Sequence, residues 1–426
     1  MQMKLVGKAS GAPDATWDTA YERKALLVLA TGYGLVGLDR FIINPLFPIM
    51  QRDLGLNYRD FGMIAGVLAF TWGIASVISG RLADRAGTKA VMVPAMIVFS
   101  LLSATSGLAG GLISLLVVRA LMGMAEGAYV PASVVSTIAA SRPTRIGLNV
   151  GLQQLAMPLI GLGFGPILVA FLLRIFPGWH WVFIVASIPG LLLVAVMSRV
   201  LRDTRARTPD DQDGKTPSRG SWLEVLRYRA VIVNTLGMFC YLTCMIILTA
   251  FMPNYLTDHL KLNFDKMSIV LAGMGFGSVG LAVVPALSDR WGYRRTVSAA
   301  LVVELAALIA VKFCSTDIAL LFCLLFIAMF MNAGVVSITV GPLTHRAVPA
   351  YLRTSATGMV VGLGEIVGGA ISPAVTGMLA QKLGIEIVVI LAPAAIAVGL
   401  IVMVLGVGNS AAEICAVDGT MHGGAP

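Results

Sequence analysis

The sequence predicts an all-α membrane protein, with twelve transmembrane helices arranged as two pseudo-symmetric six-helix bundles. Three observations carry this. Of 426 residues, 57% are hydrophobic and 12% charged, and the mean hydropathy is +0.86, which places most of the chain in lipid. The chain is divided into apolar runs, each long enough to cross a hydrocarbon core of ~30 Å. An internal repeat returns with a register of about 205 residues. The runs are continuously apolar rather than alternating, and each must satisfy its own backbone hydrogen bonds in lipid, so they are read as helices.

Taken in order, residues 1–24 hold Lys4, Lys8, Asp14, Asp18, Glu22, Arg23 and Lys24 without an apolar run, and read as a solvated tail with no cleaved signal. Helices 1 to 6 are predicted over 25–50, 60–82, 88–108, 111–138, 146–174 and 180–199, forming a first half, 25–200. The longest break, 201–228, mixes Arg202, Arg205, Arg207, Asp210, Asp211, Asp213, Lys215 and Arg219 with Pro, Gly and Ser, as a flexible linker does. Helices 7 to 12 follow over 230–256, 267–288, 295–313, 317–344, 353–381 and 384–406, forming a second half, 229–406, with a tail at 407–426.

Short loops set the orientation. Arg81, Arg85 and Lys89 follow helix 2, Arg142 and Arg145 helix 4, Arg290, Arg294 and Arg295 helix 8, and Arg346 and Arg353 helix 10. On the opposite side Arg52, Asp53, Arg59 and Asp60 nearly cancel. By the positive-inside rule both termini and the linker are cytoplasmic in a multi-pass protein of the cell membrane. The repeat aligns Pro48 with Pro253, Leu54-Gly-Leu-Asn57-Tyr58 with Leu260-Lys-Leu-Asn263-Phe264, and Leu82-Ala-Asp84-Arg85-Ala-Gly87 with Leu287-Ser-Asp289-Arg290-Trp-Gly292. A duplication with a midplane site between halves that rock about it is the architecture of many secondary transporters.

Composition also excludes other classes. The net charge of +9 comes from basic residues in short loops between apolar runs, which argues against nucleic acid. Cys240, Cys244, Cys314, Cys323 and Cys415 show neither a disulfide nor a metal spacing, and His180, His259, His345 and His422 form no ligand set and no nucleophile–base pair. No enzyme, metal or cofactor is expected.

The chemistry lies in charges inside apolar segments: Asp39 and Arg40 in helix 1, Arg119 and Glu126 in helix 4. An ionised side chain at bilayer depth costs roughly 2.5–3.5 kcal/mol on insertion scales, so these groups are expected to pair or to face a cavity. Arg119 and Glu126 are two helical turns apart and share a face. In a partly dehydrated cavity an unpaired carboxylate favours its neutral form and a neighbouring Arg favours the charged one. Asp39 or Glu126 is therefore the expected proton-coupling group, and protonation frees Arg40 or Arg119 for an anionic substrate. An Arg fork binds a carboxylate bidentately, and which arginine does so is open. Permanent ion pairs that only position helices 1 and 4 are the plainer alternative.

The second half is read as a less charged wall. Asn332 falls where the repeat places Glu126, and Glu365 in helix 11 is read as the one membrane acid of this half, binding cation or substrate or bonding a neighbouring helix. Gln153 and Gln154 in helix 5, with Tyr241 and Thr243 in helix 7, are either hydrogen-bond donors to substrate or interhelical contacts. Small monocarboxylates, sugar acids and aromatic acids all fit this reading, with the aromatic or aliphatic kinds mildly favoured by the few polar groups of the second half.

Gly80-Arg-Leu82-Ala-Asp84-Arg85-Ala-Gly87-Thr-Lys89 resembles the loop signature of the major facilitator superfamily, and Arg119-Ala-Leu-Met-Gly123-Met-Ala-Glu126-Gly127 resembles its helix 4 signature. Leu38-Asp39-Arg40, with Arg119 and Ala125-Glu126-Gly127, resembles the anion:cation symporter branch. The resemblance implies the major facilitator fold, alternating access, proton-coupled uptake of a small organic anion and a monomer. It also implies an inner gate in which Asp84 and Arg85 meet the start of helix 11 near Arg353, and Asp289 and Arg290 meet the start of helix 5 near Arg145. The second loop copy departs from the pattern, with Pro285 in place of Gly80. A rival is proton-coupled drug efflux: Gly161-Leu-Gly-Phe-Gly165-Pro166 partly resembles the helix 5 signature of drug antiporters, although Leu168 and Val169 stand where that signature has glycines.

Overall fold

A computed structural model describes residues 17–203, 222–313, 317–349 and 352–406. Residues 1–16, 204–221 and 407–426, which hold most of the expected tails and linker, lie outside the described residues, as do the side chains of Asp84, Arg85 and Asp289. Among the described residues, twelve long helices are present: α1 (Thr19–Asp53), α2 (Tyr58–Ala86), α3 (Thr88–Ser106), α4 (Leu112–Ala140), α5 (Pro143–Ile175), α6 (Trp179–Val200), α7 (Arg229–His259), α8 (Phe264–Ser288), α9 (Tyr293–Phe313), α10 (Ile318–Arg346), α11 (Ala356–Leu383) and α12 (Ile385–Gly406). Among the described residues, eleven are long and apolar enough to cross a membrane, and α2, with 29 residues, completes the set.

The helix starts follow from local chemistry. α1 begins ahead of its apolar run because Asp18 caps it, accepting from the Tyr21 backbone N–H at 2.9 Å. Arg202, beyond α6, adds a second bond at 2.7 Å, so the two chain segments meet at one end of the array, here the termini side. These two donors hold the Asp18 carboxyl below the usual carboxylate range. The repeated Leu-x-Leu-Asn segment is a capping device. Asn57 accepts from Asp60 N at 3.1 Å to start α2, and Asn263 accepts from Lys266 N at 3.0 Å to start α8. The same copies place Gly55 (φ 63°) and Lys261 (φ 56°) in the left-handed region. Gly87 (φ 95°) and Gly292 (φ 85°) likewise end the two loop motifs.

The repeat extends to an irregularity. α5 widens into a π turn over Leu159–Phe164, and α11 does so over Glu365–Ile371. Pro166 and Pro373 lie just beyond these turns, and each lacks the N–H that the carbonyl four residues earlier would receive, which favours a wider turn.

The halves meet through glycines. A Cβ on Gly62 of α2 would strike the Pro373 carbonyl of α11, and one on Gly377 of α11 would strike the Tyr58 carbonyl. Between α5 and α8, Gly275 lies against the backbone of Gly163. Polar contacts join the halves at the end remote from the termini. Tyr58 Oη donates to Asp258 at 2.8 Å, Asn254 Nδ2 to Gln51 at 2.9 Å and Arg174 Nη2 to Asp265 at 2.7 Å. Deeper in, Asn44 Nδ2 donates to the Thr249 carbonyl at 2.8 Å. Among the described residues, no ion pair joins the halves on the termini side. Gly62→Ala and Gly275→Ala are therefore expected to disfavour this closure by about 1–3 kcal/mol, a shift of roughly 5- to 150-fold. Spin labels on the remote ends of α2 and α11 should report a wider separation; an unchanged distance distribution would refute the glycine contact as the closing surface.

Candidate functional site

The site grows from a break in α1. The helix is interrupted at Ile42 and resumes at Ile43. Pro45 has no N–H for the Phe41 carbonyl, so the ladder fails there. Arg119 of α4 reaches this break, and its Nη1 donates to the Asp39 carbonyl at 3.1 Å and the Arg40 carbonyl at 3.4 Å. The guanidinium is 1% exposed, lies 5.9 Å from the Phe183 ring centre, and leaves Nε and Nη2 without a partner. Gly123 and Gly127 of the same motif pack against the Leu68 and Trp72 carbonyls, so α2 and α4 lie in backbone contact.

The two expected proton-coupling acids are both buried, in different surroundings. Asp39 accepts from Ser103 Oγ of α3 at 2.8 Å. Glu126 is 0% exposed and neither carboxyl oxygen has a hydrogen-bond partner, with Arg40, Asp39 and Arg119 the charged groups in electrostatic reach. The Asp39 carboxylate thus bonds a hydroxyl, while Arg119 holds the backbone beside it.

Arg40 points to the seam between the halves. Its Nη2 lies 3.8 Å from Glu365 Oε2 at the first residue of the α11 π turn, an ion pair too long for a hydrogen bond. The guanidinium also lies 5.4 Å from the Trp72 ring centre, within cation–π range. Arg40 and Arg119 both border a cavity of about 40 Å³, enough for about three waters. Its other walls are mostly apolar: Ile43, Ile64, Leu68, Ile246 and Ala250. The amide nitrogen of Asn44 and the hydroxyl of Thr249, which also border it, are already bonded to backbone carbonyls.

The other sequence-derived candidates are dispersed. Gln153 is buried and donates to Ser133 Oγ at 3.1 Å, whereas Gln154 is exposed and accepts from Tyr33 Oη at 2.6 Å. Tyr241 packs its ring on Gly399 of α12, and Thr243 is half-buried with its backbone against Gly368 of α11. Asn332 donates to Glu304 at 2.8 Å and to the Tyr241 carbonyl at 3.2 Å. Neither Tyr241 nor Asn332 borders the cavity. Of the expected gating residues, Arg145, Arg290 and Arg353 are exposed, and Arg353 Nε donates to the His345 carbonyl at 3.2 Å. The partners Asp84, Arg85 and Asp289 lie outside the described side chains.

Sequence reasoning missed two features. Glu365 is not the one membrane acid of the second half, because Glu304 lies fully buried in the middle of α9. The signal was present, an acid inside the apolar run 295–313, and the depth argument applied to Glu126 finds it equally. The remote-side set Tyr58, Asp258, Arg174 and Asp265 lies at helix ends, where charge is ordinary in sequence and only tertiary pairing gives it a role.

With this geometry in hand, likeness to known proteins becomes informative. Residues 29–364 and 235–414 match the Major Facilitator Superfamily. The chain is 26% identical to the hexuronate transporter of Bacillus subtilis (strain 168), over 82% of this chain and 85% of that one. It is 25% identical to the sialic acid transporter NanX of Escherichia coli (strain K12), over 90% and 93%. It is 24% identical to the putative multidrug resistance protein MdtD of Salmonella paratyphi B (strain ATCC BAA-1250 / SPB7), over 85% and 88%. Among solved structures, the inward-facing, unoccupied bacterial homolog of the human lysosomal transporter Spinster superposes with a TM-score of 0.74 at 16% identity, covering 94% of this chain and 97% of that one. The paired six-helix repeat and the extent of these matches make the chain a multi-pass membrane transporter that is not an enzyme, a member of the Major Facilitator Superfamily.

Proposed function

We propose that the protein is a proton-coupled symporter that takes up a small organic anion, a carboxylate with an apolar body. It works as a monomer in the cell membrane with both termini cytoplasmic. The halves 25–200 and 229–406 rock about the cavity while the linker 201–228 joins them. The observation that carries the reading is Arg40, held at the seam by one long ion pair to Glu365 and bordering a cavity with apolar walls. A substrate carboxylate can replace Glu365 on this guanidinium and gain bidentate geometry. Arg119 is fixed in place by Nη1 at the break in α1 and keeps Nε and Nη2 unpartnered, so the substrate is assigned to Arg40 for its position at the seam.

The proton is assigned to Glu126, with Asp39 as its relay. Glu126 is buried with no hydrogen-bond donor on either oxygen, a setting that favours the neutral acid unless a neighbouring arginine turns to it. Loss of that proton leaves a bare anion in reach of Arg40, which then competes with substrate for the same cation. One proton and one anion thereby alternate on one arginine. The likeness to MdtD favours efflux as a second reading, but two arginines at the cavity suit an anion. The glycine run of α5 has its own use in packing, Gly161 against the Gly37 carbonyl and Gly163 against Gly275.

In proteoliposomes, Glu126→Gln and Asp39→Asn should abolish uphill uptake driven by an inward proton gradient and leave counterflow exchange partly intact; undiminished accumulation in both variants would refute the assignment. Arg40→Lys should weaken substrate binding about 10- to 100-fold, through the lost fork. Arg119→Lys should chiefly lower the melting temperature, which separates the two arginines. In competition uptake, aromatic and aliphatic monocarboxylates should outcompete polyhydroxylated acids, because Asn44 Nδ2 and the Thr249 hydroxyl are already bonded. Preference for polyhydroxylated acids would sink the apolar-body assignment while leaving the symport reading standing.

A further inference from the structure

Behind the second half's side of the seam lies a polar cluster that the transport chemistry leaves unused. Glu304 of α9 is 0% exposed. Its Oε1 accepts from Asn332 Nδ2 of α10 at 2.8 Å and from Cys244 Sγ of α7 at 3.6 Å. Its Oε2 and Asn332 Oδ1 are both buried without a hydrogen-bond partner. Among the described residues, no Lys, Arg or His comes within ion-pair distance of this carboxyl. The titratable groups that face it are the Cys244 thiol and the Tyr241 phenol, both on α7. α7, α8, α10 and α12 carry their charged residues only near their ends.

We propose that Glu304 and Asn332 form a resident proton site, in which a proton on Glu304 Oε2 is shared with Asn332 Oδ1 and is not among the protons transported. Two physical arguments support occupancy. An ionised carboxylate fully buried without a countercharge is costly by several kcal/mol, whereas the neutral acid is not. The two orphaned atoms belong to side chains already joined by one hydrogen bond, and a single proton turns them into donor and acceptor, closing a two-bond acid–amide pair. A third argument supports retention. Every hydrogen-bond contact of the site lies within the second half, on α7, α9 and α10, so movement of one half against the other leaves it unchanged. The repeat gives the same contrast: Cys244 and Asn332 occupy the positions of Asp39 and Glu126, and the acid has moved to α9, away from either arginine.

Infrared spectroscopy of the full-length protein in lipid tests this without any substrate. The difference between wild type and Glu304→Gln should show one protonated-carboxyl band, present at neutral pH and retained at alkaline pH. Glu304→Gln should melt near wild type, because its amide keeps both bonds, while Glu304→Ala should melt lower. If Glu304→Gln does not fold, Asn332→Leu should move the same band to higher frequency by freeing the acid carbonyl from its donor. No Glu304-dependent band, or one that titrates away between neutral and alkaline pH, overturns the proposal. The second result would make Glu304 an exchanging site while leaving Arg40 and Glu126 in the roles given above.

Discussion

The bond from Arg119 to the two carbonyls at the break in α1 is the interaction on which the rest of the site depends. Pro45 removes one ladder bond at the break, and an unpartnered carbonyl in a dry helix core is expensive. A guanidinium from α4 bonds the Asp39 and Arg40 carbonyls, just before the Phe41 carbonyl that Pro45 leaves without its N–H, and in doing so fixes where Asp39 and Arg40 sit. Asp39 then turns to Ser103 on one side, and Arg40 to the seam on the other. Polarity and helix geometry are therefore one problem here, since the charge that would be intolerable in lipid is bonded to the helix backbone beside its break.

The fold was legible in the sequence to an unusual depth because lipid removes most alternatives. Apolar runs longer than a bilayer core leave only helices, and the Leu-x-Leu-Asn copies carried both capping asparagines and the left-handed position before them. The start of α1 was placed late because hydropathy marks where lipid begins, whereas Asp18 starts the helix in water. Within the site, the burial of Asp39, Arg119 and Glu126 followed from their depth. Their partners did not: nothing in a spacing of two turns shows that Arg119 binds carbonyls rather than a carboxylate. Asn332 was legible as the repeat equivalent of Glu126, but its commitment to Glu304 depends on how α9 packs against α10.

Duplication and divergence can be read side by side. The remote-side closure uses both copies of the same devices, with α2 against α11 and α5 against α8 in glycine contact. The charged interior uses only one. The first half has two acids with two arginines, whereas the second has two acids and no arginine at this depth: Glu304, bonded to an amide and a thiol, and Glu365, paired across the seam with Arg40. Equivalent scaffolds thus meet at a chemically unequal boundary, with both arginines on one side of it and Glu365 facing them from the other.

The matched π turns of α5 and α11 have a mechanical consequence. A wide turn is one surplus residue held in a helix, and it can pass along the rod by trading single hydrogen bonds rather than by unwinding. Each step it takes turns the intervening stretch by about 100°. With such a dislocation in each of these two equivalent helices and at corresponding depth, both rods can present a new set of side chains to the opposing wall while their anchored ends stay where they are.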